Sequence, residues 1–123
     1  MTLVDTSVWI EHFRLNDEGL GHLLGAESVF VHPFVIGELA VGKLQPRQQT
    51  LARLQRLPQS NVATHEEVLH LIEREGLFGL GIGYIDAHLL AAARLTENTT
   101  LWTHDQRLAA AAMRLGLAYA PSL

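Results

Sequence analysis

Asp5, Glu38, Asp86 and Asp105 are spread along almost the whole chain, and each stands where an apolar stretch meets a helical one. Asp5 and Asp105 each follow a short apolar run. Glu38 falls one or two turns into a helical segment and Asp86 near the beginning of another. In open α/β sheets the carboxyl ends of strands and the starts of the following helices face a common crevice, so four distant acids can converge there. Carboxylate oxygens are hard ligands suited to Mg²⁺ and Mn²⁺, with water completing the coordination. Without a cation, several ionised carboxylates in one place repel one another. The same ion can orient a water, lower its pKa and stabilise charge developing on a phosphate.

Each acid also has an ordinary explanation. Asp5 and Asp105 are natural helix caps. Glu38 could face solvent or pair with Lys43 or Arg47, and Asp86 would suit the positive end of a helix. Thr6, Ser7 and Thr103 place oxygens beside Asp5 and Asp105. Ser7 and Thr103 could orient a carboxylate or a metal-held water, so we rank them as supports rather than direct ligands. Both are also capping residue types, and Thr103 with Gln106 three positions later matches a capping box. The seven histidines form no HExxH pattern, so a zinc protease has no motif behind it. His88, two residues after Asp86, does not share its helical face. His104 beside Asp105 is a candidate substrate contact, with a plain surface role as the competing reading. The glycines at 79, 81 and 83 match a dinucleotide loop only by count; flexibility near Asp86 is the simpler expectation.

The elements that must position these residues are legible in outline. Thr2 to Asp5, Ser28 to Val31 and Thr100 to Thr103 read as short buried strands. Asn61 to Ala63 and Leu117 to Tyr119 read as further short strands. Helices are expected from Ser7, around 17–24, from Pro33 to about Gly42, around Leu51 to Leu57, from Thr64 with Glu67 as a capping box, from Tyr84 to Leu95, and over 106–115. The alternation argues for an α/β domain with a mostly parallel sheet covered on both faces. With 123 residues, no repeat and no linker, one domain over 1–123 is expected.

Apolar residues make up 48% of the chain and charged residues 18%, a globular composition. No segment has the length of a membrane span and no secretory signal is evident, so a cytoplasmic location is expected. The absence of cysteine excludes disulfides, thiolate zinc sites and cysteine nucleophiles. A net charge of −4 is unlike a basic nucleic-acid wrapper, yet it does not exclude a nuclease whose acidic site takes a metal.

The segments LVDTSVWI at 3–10, HPFVIGELAVG at 32–42, YIDAHLLAAA at 84–93 and LWTHDQRLA at 101–109 resemble the PIN-domain family, and more closely its VapC-type toxin ribonucleases. The resemblance spans nearly the entire chain. It implies a three-layer α/β/α PIN fold in which Asp5, Glu38, Asp86 and Asp105 are the acidic metal site. It also implies a divalent-metal-dependent endoribonuclease, with Mg²⁺ or Mn²⁺, acting on structured RNA such as tRNA. The expected partners are a cognate VapB-type antitoxin and a second copy in a homodimer. In-line attack by water would leave a 5′-phosphate and a 3′-hydroxyl. Arg14, Lys43, Arg47 and Arg107 flank the acidic segments and are candidate phosphate contacts, with solubility or antitoxin contacts as the competing reading. The alternatives are a PIN-like RNA-binding or protein-interaction module without turnover, and a metal-dependent phosphatase of small molecules.

Overall fold

The structure, a computed structural model, describes residues 1–15 and 18–121. Residue 17, where the second helix is expected to begin, lies outside them. Strand β1 (Thr2–Val4) lies between β2 (Val29–Phe30) and β3 (Thr100–Trp102), and both pairings are parallel. Thr2 stands opposite Val29 on one side and Thr100 on the other. β1 is buried along its length, which explains an apolar run without the alternation of a strand that has one wet face.

Parallel neighbours cannot be joined by a hairpin, so every connection carries helices. α1 (Thr6–Leu15) and α2 (Glu18–Gly25) lead from β1 to β2. α3 (Pro33–Val41), α4 (Arg47–Arg56), α5 (His65–Glu75) and α6 (Tyr84–Leu95) lead from β2 to β3, and α7 (Gln106–Arg114) follows. α6 and α7 pack against β3, while α1 packs against α2 and α3. This is the expected α/β architecture, a parallel sheet flanked by helices in the α/β/α manner. No helix of the described residues is long and apolar enough to cross a membrane.

Of two further expected strands, one does not form and the other is reduced to a single bridge. The segment 61–63 does not pair; Gln59 bridges Val31 in parallel instead. Asn61 is turned away by its own bonds, its backbone N–H donating to Thr96 Oγ1 and its side-chain amide to the Leu95 carbonyl. At the other edge only Ala118 bridges Leu101.

The helix ends follow local chemistry. Thr64 and Glu67 make both halves of the capping box, and Gly76 closes α5 in the left-handed conformation at φ +63°. His32 caps α3: its Nδ1 accepts from the Phe34 N–H at 3.0 Å, and Pro33 takes the first helical position. Because Nδ1 accepts, the ring hydrogen sits on Nε2, which has no hydrogen-bond partner among the described residues. The His32 ring is 0% exposed and lies 6.1 Å from the His88 ring. Burial first, then the neighbouring His88, pushes its pKa down to about 4.

α6 is the most deeply packed helix: every residue from Ala87 to Ala93 is buried. Its alanines permit close approach to β3 and α5, and the depth of the helix fixes where Asp86, in its first turn, must stand.

Leu89→Ala, at a position 0% exposed, should lower the unfolding free energy in urea by about 2–5 kcal/mol. Met113→Ala, at a position 73% exposed, should change it by no more than about 0.5 kcal/mol. His32 is held neutral in the folded chain but titrates near 6.5 when unfolded, so the unfolded state binds more protons between those values. Its contribution is complete above pH 6.5 and is lost as pH falls toward about 4. His32→Asn, which keeps a capping oxygen, should flatten the fall in urea midpoint between pH 6.5 and 5; an unchanged slope would contradict the assignment.

Candidate functional site

Asp5 follows β1, and its backbone continues the sheet by donating to the Trp102 carbonyl at 2.9 Å. Its carbonyl then accepts from Val8 and Trp9, opening α1. The residue is 6% exposed, and Oδ2 accepts from the Ser7 hydroxyl at 2.7 Å and the Thr103 hydroxyl at 2.8 Å. Thr103 therefore does not cap α7. Asp105 does, through Oδ1 and the Leu108 N–H at 3.0 Å, while Thr103 Oγ1 accepts from the Asp105 N–H. Ser7 Oγ likewise accepts from the His104 N–H instead of capping a helix.

Glu38 pairs with neither Lys43 nor Arg47; its Oε1 accepts from the Thr6 hydroxyl at 2.7 Å. Asp86 reaches back so that Oδ2 accepts from the Gly83 N–H at 2.9 Å. The four acids thus share a pattern. Each is held through one oxygen by a neutral donor, and the other oxygen makes no hydrogen bond among the described residues. None has a Lys, Arg or His partner among those residues.

The charges of the other three acids are felt at Asp86. Burial raises the Asp86 pKa above its ordinary value; the Gly83 N–H opposes this, and the charges of Asp5, Asp105 and Glu38 add to the rise. As the side chains stand, no three acidic or histidine groups of the described residues are close enough to hold an ion between them directly. A cation here would be reached in part through water, which is the habit of Mg²⁺.

The basic candidates have separate fates. Arg14 and Lys43 line, with Glu38, a cavity of about 520 Å³ whose other walls include Ile10, Phe13, Leu39 and Leu44. Arg47 donates to the Gly42 carbonyl at 3.3 Å and closes the turn between α3 and α4. His104 pairs with Glu11 at 2.9 Å and stands edge-on to Trp102. Arg107 lies against Gly81.

One arrangement escaped the sequence reading. The Tyr84 hydroxyl is shared between His65 Nδ1 at 2.7 Å and His88 Nε2 at 2.9 Å, which ties the start of α6 to α5. The spacing of Tyr84 and His88 suits a helical pair, but nothing local announces His65.

The PIN domain family model matches residues 2–113. Ribonuclease VapC32 from two strains of Mycobacterium tuberculosis, CDC 1551 / Oshkosh and ATCC 25618 / H37Rv, is 48% identical to this chain over 120 residues. The alignment covers 98% of this chain and 97% of each relative. With its parallel sheet and flanking helices, and with likeness running the length of both sequences, the chain belongs to the PIN-domain family, among its VapC-type members.

Proposed function

We propose that this chain is a divalent-metal-dependent endoribonuclease, the toxin of a toxin-antitoxin pair, with Asp5, Glu38, Asp86 and Asp105 as its acidic centre. One observation carries the reading: four carboxylates whose fields meet at Asp86 are anchored by neutral donors, with no protein cation to balance them among the described residues. Uncompensated carboxylates at one place favour a bound cation. The substrate class follows from the ribonuclease relatives. The same reading extends to a VapB-type antitoxin as partner, to a homodimer and to one PIN-like domain.

The chain's own groups have distinct tasks. Thr6 fixes Glu38, Ser7 and Thr103 fix Asp5, and the Gly83 N–H fixes Asp86, so each carboxylate keeps one oxygen uncommitted. Asp105 is restrained by the helix it caps. Mg²⁺ is the first choice and Mn²⁺ the second, and either, when bound, would offset the carboxylates' repulsion and stabilise charge developing on the phosphate. Burial and two hydroxyl bonds limit the freedom of Asp5 to turn, and the Gly83 N–H restrains Asp86.

Structured RNA incubated with the protein and Mg²⁺ or Mn²⁺ should be cut to 5′-phosphate and 3′-hydroxyl ends, with small phosphomonoesters left intact. Asp86→Asn should reduce cleavage at least about a hundredfold, the scale seen when a group acting on reacting charge is lost. A 2′,3′-cyclic phosphate as primary product would exclude this route. Binding of RNA without cutting under either ion would favour the module without turnover.

The same substitution should stabilise the fold. A raised carboxyl pKa means that the contribution of Asp86 is most favourable below its unfolded value and is lost as pH rises through the folded one. At neutral pH the ionised group is a burden, whereas Asn can still accept the Gly83 N–H. Without added ion, Asp86→Asn should melt higher than wild type at pH 7 and lose that advantage at acid pH; a lower melting temperature at pH 7 would contradict the electrostatic assignment.

A further inference from the structure

We propose that Arg107, laid against the bare α-carbon of Gly81, grips an RNA phosphate beside the acidic centre, with Gly81 as the positioning residue that keeps it there; this rests on the ribonuclease reading above. A Cβ placed on Gly81 would stand 2.5 Å from Arg107 Nη1, 2.9 Å from Cδ and 3.1 Å from Cζ. Both the stem and the head of the arginine therefore occupy the space that a side chain at 81 would need. Gly81 also has φ +79°, which disfavours other residues. A side chain at 81 would therefore also displace Arg107 from its present place.

The contact joins two of the segments that deliver acids to the site. Gly81 precedes by two residues the Gly83 N–H that holds Asp86, and Arg107 follows Asp105 by two residues in the first turn of α7. Proximity has not led to neutralisation. The guanidinium is exposed, and among the described residues it makes no hydrogen bond and has no carboxylate within 4.0 Å. Of the other basic candidates, Arg47 is committed to the Gly42 carbonyl and His104 to Glu11, while Arg14 and Lys43 line the cavity with Glu38 and, among the described residues, have no such contact with the Gly81 segment. A guanidinium offers a planar fork that matches two phosphate oxygens. Packing its stem against backbone reduces the freedom it must lose on binding. An acidic centre that repels RNA needs a cation that is fixed nearby and not consumed by the acids, and Arg107 meets that description.

The test measures binding of a fluorescein-labelled RNA stem-loop by the Asp86→Asn protein over a series of KCl concentrations. Adding Arg107→Ala should weaken binding at least about tenfold and make the slope of log affinity against log salt shallower by about 0.7 to 0.9, the loss of one phosphate contact in the loop or the stem. Arg107→Lys should restore the slope but not the full affinity, because charge returns without the fork. Gly81→Ala should weaken binding comparably in the arginine protein and add little in the Arg107→Ala protein, with circular dichroism confirming that each variant is folded. Parental affinity and slope in Arg107→Ala would overturn the proposal and leave the ribonuclease reading intact. A Gly81→Ala defect that persists undiminished without Arg107 would overturn the positioning role. Failure of the parent to bind RNA, together with failure of wild type to cut it, would overturn both.

Discussion

A carboxylate buried as deeply as that of Asp5 must find donors, and the donors it finds organise the rest of the site. Leaving an ionised group unpaired at this depth would cost several kcal/mol, so Oδ2 collects the hydroxyls of Ser7 and Thr103. Those two bonds tie the end of the central strand to the first turn of α1 and to the exit of β3. The same hydroxyls then accept from the backbone of His104 and Asp105, which sets the entry into α7 and the place of the last acid. Sheet pairing supplies the third constraint, because the Asp5 N–H continues the ladder to Trp102.

Much of this was legible in the sequence because it depends on local rules. A buried parallel strand reads as an uninterrupted apolar run, so Thr2 to Val4 and Thr100 to Trp102 stand out, and the Thr64 and Glu67 capping box announces α5. The expectation that the four acids converge rests on one topological rule about strand ends and helix starts. Their roles as ligands are a proposal built on that convergence.

What escaped depends on contacts between distant segments. Thr103 carries the local signature of a cap, yet Asp5 competes for its hydroxyl, and Asp105 takes over the capping. The strand expected at Asn61 to Ala63 is displaced because Asn61 has better partners at the end of α6. The glycines before α6 suggested flexibility, whereas Gly81 has a specific neighbour in Arg107 that no spacing rule reveals. The hydroxyl of Tyr84 likewise meets His65 only through tertiary packing.

The distribution of charge unifies these features. Neutral hydroxyls and backbone N–H groups orient the four carboxylates, and no basic side chain of the described residues forms an ion pair with any of them. Such an arrangement leaves the negative charge available to an ion from solution. The most direct measurement is anomalous X-ray diffraction at the manganese edge from crystals grown with Mn²⁺. A manganese peak among Asp5, Glu38, Asp86 and Asp105, weakened in crystals of Asp86→Asn, is the predicted result. Manganese bound elsewhere on the protein, with no peak among these four carboxylates, would contradict their assignment as the metal centre.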